Sequence, residues 1–385
     1  MFRILLLFIF VTISNVCGAQ QMRIGLLRSI TTKTVSINVN EGKYIVYGDT
    51  TNLGVLESII VQYKSNGVGI TSNGVLKVYK TIKIVQEQSN SSIKITATSP
   101  SSKQHFYNDN FEITQGSNGL TIVNLVSMEN YLAGVIESEG GGGRHLEYYK
   151  VQALMSRTYA IKNAKRHSKE GFNLCDGVHC QAYHNKLIHT DKIMDAVLDT
   201  EGLVLVDENN SLVTSYFSAN CGGQVCDASY VWNTSLPYVE PFVDTFCIHT
   251  RQATWETYVS KSDWRKYMRD QFGVTEEIVG SQLYNFTQDE RKAFYIHPSL
   301  GIPLRDLRQK FRLKSTYFST KLEGERVIIS GRGFGHGVGL CQEGAMEMAK
   351  QGYDYSQIAR FYFHNVSILD AKKQAYFNQI EVIEE

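Results

Sequence analysis

Glu139 closes a stretch in which Met128, Tyr131, Leu132, Val135 and Ile136 recur at helical spacing behind Ser127, a residue type suited to capping a helix N-terminus. Glycines at positions 140 to 143 must end that helix. A carboxyl at a helix C-terminus faces the negative end of the helix dipole, and partial burial acts in the same sense, so its pKa is expected to rise. A glutamate with a raised pKa can act as a general acid near neutral pH. Read from the residues alone, the alternative is a solvated glutamate at a helix end. Glu129 and Glu137 are read as surface charges, with Glu137 the rival acid.

A second cluster of chemistry-bearing residues lies in the loop that follows the next helix. His167, Cys175, His179 and Cys180 supply enough soft ligands for a tetrahedral zinc ion. A Cys175–Cys180 disulfide and an ordinary packed loop are the competing readings. Farther on, Cys221, Cys226 and Cys247 are expected to include one structural disulfide, with the pairing open.

The third feature is the run from Gly331 to Ala345, in which every second residue from 331 to 339 is glycine. In an extended strand this leaves one face bare, against which another backbone or the flat face of a sugar ring could lie. A crowded strand crossing is the plainer reading. The spacing fits neither a dinucleotide fingerprint nor a phosphate loop. Arg157 also stands out, because on a helix it shares a stripe with Leu146, Tyr149, Ala153, Ala160 and Ala164. A guanidinium there needs a carboxylate partner or must line a cleft.

These groups need a scaffold. Short β-branched runs at 35–39, 44–47, 82–86 and 93–97 predict antiparallel strands, and 121–126 predicts another. Helices are expected at 146–164, 262–272, 343–351 and 355–364, the last behind a capping box of Asp354 and Gln357. Strands are expected at 203–206 and 212–217. The chain has 39 basic and 38 acidic residues among 385, a formal net charge of +1, which argues against nucleic acid as the main partner. Residues 1–19 read as a secretory leader cleaved after Ala19, the competing idea being a lipid anchor on Cys17. No later apolar stretch approaches the roughly twenty residues of a membrane span.

Two segments together point to a family. Residues 128–139, MENYLAGVIESE, resemble the EEYLxGVVxSEMP stretch of the SpoIID/LytB family, and residues 335–345, GHGVGLCQEGA, resemble its GHGVGxSQxGA signature. Ser156-Arg157-Thr158-Tyr159-Ala160 is similar to the family's A-R-T-Y-A motif. Gly140-Gly141 stands in place of Met-Pro, and Cys341 in place of the serine. The resemblance implies an α+β fold: a β-rich, two-lobed architecture with a few helices around a central groove. It implies an N-terminal β-rich part at 20–115, a catalytic or wall-binding core at 116–370 and a tail at 371–385. It further implies an exported, cell-wall-associated peptidoglycan lytic transglycosylase. Glu139 would be its single acid/base, and Arg157, Tyr159, Gly335, His336, Gly337, Cys341 and Gln342 its substrate contacts. No cofactor is then required for catalysis, and some members bind zinc with two Cys and two His in the loop that holds His167, Cys175, His179 and Cys180. The rival implication is a non-catalytic glycan-binding protein that stimulates a cell-wall amidase. A hydrolase would need a second carboxylate, for which Glu343 is the motif-borne candidate, though a helix-surface setting suits it better.

Overall fold

The computed structural model describes residues 21–72 and 75–373. The leader expected at 1–19 and nearly all of the tail expected at 371–385 lie outside the described residues. The fold is α+β and β-rich, as the sequence leads one to expect. Each of the four N-terminal β-branched runs lies inside an observed strand: Thr34–Glu41, Tyr44–Gly48, Thr81–Gln86 and Ser92–Ser99. Alternation in these runs places Val35 and Ile37, or Ile82 and Ile84, on one buried face.

The strands up to Leu174–Cys175 form two sheets. In the seven-stranded sheet the spatial order is Leu174–Cys175, Gln21–Leu26, Leu120–Ser127, Asn110–Gln115, Thr81–Gln86, Tyr44–Gly48 and Thr51–Val55. The six-stranded sheet runs His105–Asn108, Ser92–Ser99, Thr34–Glu41, Ser58–Lys64, Gly67–Ser72 and Val75–Tyr79. Between His105–Asn108 and Asn110–Gln115 the chain changes sheets at Asp109, whose φ is +65°. The Asp109 carboxylate accepts hydrogen bonds from Ser127 N–H and the Asn130 side chain, which ties this corner to the start of the first helix.

That helix, α1, spans Met128–Gly140, and the second, α2, spans Leu146–Lys162. The Ser127 hydroxyl accepts from Asn130 N–H as a helix cap. Helix α2 is buried on nearly every side, not along one stripe only. It crosses α1, a third helix α3 (Lys192–Asp199), and the later helices Gln342–Lys350 and Tyr355–Tyr362. The capping box of Asp354 and Gln357 is formed. Of the strand expected at 212–217, only a bridge at Leu212 and the short Phe217–Ser218 pairing form.

The expected division at residue 115 falls at a hairpin between paired strands, Asn110–Gln115 and Leu120–Ser127. One apolar core runs from Met22 to Ala371 across that point. A second, separate core, centred on Trp264, Tyr295, Leu307 and Ile329, sits within the chain between residues 255 and 329. It packs helices Lys261–Phe272 and Leu304–Phe311 on a three-stranded sheet whose centre is Arg326–Arg332.

Candidate functional site

Glu139 sits one residue before the end of α1 and is half-buried. Its Oε1 accepts a 2.9 Å hydrogen bond from Ala182 N–H, and Oε2 has no protein partner among the described residues. Burial pushes its carboxyl pKa upward; the Ala182 amide and the nearby His184 oppose that without reversing it. The glycine turn, in which Gly140-Gly141 stands for Met-Pro, is tied down by Tyr149, whose hydroxyl donates to Gly141 O at 3.1 Å and accepts from Arg144 N–H at 3.0 Å. The rival Glu137 is occupied differently: its two oxygens accept from Ile188 and His189 N–H at 2.8 and 3.0 Å. Glu343 is not a free helix-surface charge. Its oxygens accept from Asn220, Thr250, and the backbone and side chain of Gln252.

The segment that supplies Ala182 N–H begins at the Cys/His loop. Cys175 lies on the edge strand that pairs in parallel with Gln21–Leu26. The ligand atoms of His167, Cys175, His179 and Cys180 all lie within 4.8 Å of one another. Individual approaches are 3.5 Å for Cys180 Sγ to His167 Nε2 and 3.7 Å from His179 Nδ1 to each sulfur. In tetrahedral coordination, with bonds of about 2.0–2.3 Å, ligand atoms stand roughly 3.3–3.8 Å apart. The donor set therefore fits zinc. A further feature fits as well: His167 Nδ1 lies 2.6 Å from Glu170 Oε1, a carboxylate contact that fixes the tautomer and leaves Nε2 to face the sulfurs.

Other expected contacts fall elsewhere. Arg157 is fully buried, with no carboxylate partner among the described residues. Its Nη1 donates to Thr200 O at 2.7 Å and its Nη2 to Val197 O at 3.1 Å, so it caps the C-terminal end of α3. Both the buried ion pair and the glycan contact expected for it give way to this role. Replacing it with Met leaves buried carbonyls unpaired and should cost about 2–6 kcal/mol of stability. Denaturant unfolding measures that loss. A stable Arg157→Met protein with weakened glycan binding would return the residue to the binding surface. Tyr159 is nearly buried, and its hydroxyl accepts from Arg166 at 2.7 Å.

The glycine run is an extended strand only as far as Arg332. From 333 onward its alternate glycines take positive φ, and their open sides are filled by protein. A Cβ on Gly337 would meet the Arg291 guanidinium, and one on Gly339 would meet Tyr216 O. The crossing reading thus replaces the bare face for a sugar, and Gly337 is buried. Cys341 is also buried, its sulfur accepting from Gly344 N–H as the cap of Gln342–Lys350, so it offers no substrate contact. Gln342 is nearly buried and reaches Gln152 on α2 at 3.4 Å. Gly335 and His336 keep partial exposure.

Sequence reasoning missed three side chains around these groups. Tyr148 is buried with no partner for its hydroxyl among the described residues; it abuts Gly140 at the end of α1. Helix α2, which carries it, packs against both α1 and Gln342–Lys350. Trp232, 39 % exposed, stacks on Tyr216 at 4.0 Å, and His336 meets both rings edge-on. Burial, then Arg308 and Arg291, hold His336 well below the usual histidine range, so it is neutral at pH 7. An exposed indole on a half-buried tyrosine suits stacking on a sugar. A lone Trp within residues 228–234 carries no periodic signal that could have flagged it.

Comparison with known proteins places the first of these groups in a matched segment. Residues 116–206, which hold α1, α2 and the Cys/His loop, match the family described as stage II sporulation protein. The chain is 28% identical over 264 residues to stage II sporulation protein D of Bacillus amyloliquefaciens, covering 65% of this chain and 76% of that one. It is 27% identical over 275 residues to the Bacillus subtilis protein of the same name, covering 67% and 78%. It is also 27% identical over 291 residues to the amidase enhancer of Bacillus subtilis, covering 62% of this chain and 40% of the relative.

Proposed function

This chain belongs to the SpoIID/LytB family and has a cell-wall related role, and we propose that it acts there as an exported peptidoglycan lytic transglycosylase. Its substrate is glycan strand stripped of stem peptides. The observation that carries this reading is Glu139: a half-buried carboxyl of raised pKa, with one oxygen held by Ala182 N–H and the other unpartnered among the described residues.

The chemistry follows from that arrangement. Protonated Glu139 gives its proton to the glycosidic oxygen between N-acetylmuramic acid and N-acetylglucosamine, and the bond to the muramyl anomeric carbon breaks. The resulting carboxylate is stabilised by the Ala182 amide. It then takes the proton from the muramyl C6 hydroxyl, whose oxygen bonds to the anomeric carbon. Glu139 ends as it began, and the strand gains an anhydro end. No water is activated, so a second carboxylate is unnecessary. Glu343, with both oxygens engaged, supports this single-acid scheme. His167, Cys175, His179 and Cys180 would hold a zinc ion, which would fix the loop. The Trp232–Tyr216 pair and His336 are assigned to holding sugar rings.

The second reading is a glycan-binding enhancer of a cell-wall amidase, favoured by the relative named for that role and by the absent Met-Pro. Incubation with amidase-treated peptidoglycan separates the two. The enzyme releases soluble fragments unaided. Binding without release, together with acceleration of an added amidase on intact wall, would replace it with the enhancer.

A further inference from the structure

A second group of ligand atoms converges outside the Cys/His loop. Cys221, Asp244, Cys247 and Cys341 are all fully buried, and their ligand atoms lie within 4.8 Å of one another. Cys221 Sγ stands 3.4 Å from Cys247 Sγ and 3.2 Å from Asp244 Oδ2. The disulfide expected among Cys221, Cys226 and Cys247 is not formed: all six described cysteines are free, and Cys226 turns away to donate to Asp227 O.

We propose that Cys221, Cys247, Cys341 and Asp244 form a closed, structural zinc site. Three thiolates and one carboxylate make a soft, four-ligand set, and their ligand atoms lie close enough to surround one tetrahedral ion once the 3.2 and 3.4 Å approaches open by roughly a few tenths of an ångström. A disulfide would use two of the sulfurs and leave a third beside a buried carboxylate. Among the described residues no lysine or arginine side chain contacts Asp244, whose partners are the Cys221 thiol, the Tyr362 hydroxyl at 3.0 Å and Phe246 N–H at 2.9 Å. A buried carboxylate among thiols calls for a cation. The surroundings are those of an outer shell around bound thiolates: Cys221 N–H and Gly344 N–H point at Cys341 Sγ from 3.2 and 3.4 Å, and Tyr362 orients the carboxylate.

The ligands come from three separate stretches, and Cys341 caps the helix after the glycine run. A metal here would pin that run to the loops at 221 and 244–247. The family signature carries serine at the position of Cys341, so the site belongs to this chain's own chemistry. It stands independently of the catalytic reading.

Metal analysis of the full-length protein, purified without chelator, tests the inference. The parent should carry one zinc more than a Cys341→Ser variant, while Cys175→Ser/Cys180→Ser should retain that second zinc. Asp244→Asn, which keeps the side chain's shape and removes its charge, should weaken zinc retention against a chelator about 10- to 100-fold and guards against a Cys341→Ser protein that fails to fold. Cobalt bound to the Cys175→Ser/Cys180→Ser protein should show intense thiolate charge-transfer absorption. A Cys175→Ser/Cys180→Ser protein free of zinc and showing no such absorption would overturn the proposal. So would a Cys221–Cys247 disulfide in the native protein.

Discussion

Glu139→Gln should slow cleavage of amidase-treated glycan strands about 100- to 10,000-fold, the loss typical of removing one acid/base group. Strand binding should survive, because the amide keeps the shape of the carboxyl and its oxygen can still accept from Ala182 N–H. A pH signature accompanies the rate loss. Burial places the folded-state pKa of Glu139 above its ordinary value, so the acid form is depleted, and cleavage by the parent falls, as pH rises through that pKa. The sign for stability is the same. Below the unfolded-state pKa the carboxyl is neutral in both states and costs nothing. As pH rises toward and through the folded-state pKa, the folded protein must ionise a partly desolvated group and loses stability. Glu139→Gln has no such loss, so its stability relative to the parent should grow over that interval and level off above it. Parallel stability–pH curves for the two proteins would remove the raised pKa. An undiminished rate would move the acid to Glu137, despite its two amide partners.

Loss of the loop metal should have the next largest effect. Cys180→Ser removes one of four convergent ligands and should lower zinc content by one ion per chain. The same loop leads directly to Ala182, His184, Ile188 and His189, whose backbone N–H groups hold Glu139, Ser138 and Glu137. Cleavage should therefore drop about 10- to 100-fold, the range seen when an orienting partner is lost. Zinc content and rate measured on one preparation check this. Unchanged metal content, with Cys175 and Cys180 found bonded to each other in the native protein, would replace the ion with a disulfide.

Local signals were the readable ones. Alternation in 35–39 and 82–86 marked strands because each has one face in the core, and Ser127 and Asp354 marked helix starts because capping is a contact over three residues. Glu139 was legible because a helix end and four glycines are adjacent in the chain. Arg157 was not, since the carbonyls it caps lie about forty residues away on α3. The glycine run misled for the same reason. Its spacing reported close approach, but whether the approaching group was sugar or protein depended on residues 216–222 and 291. Asp244 joined three cysteines spread from 221 to 341, a grouping that no spacing announces. The core at 255–329 was missed because its short elements share no strong period.

The central claim is that one carboxyl cleaves the strand without water, and the chemical form of the new sugar end reads this directly. Mass spectrometry of fragments released from amidase-treated strands should find muramyl residues ending in the internal 1,6-anhydro form, made by the parent and not by Glu139→Gln. Fragments with reducing ends that take up labelled oxygen from water would contradict the account and require a hydrolase with a second carboxylate.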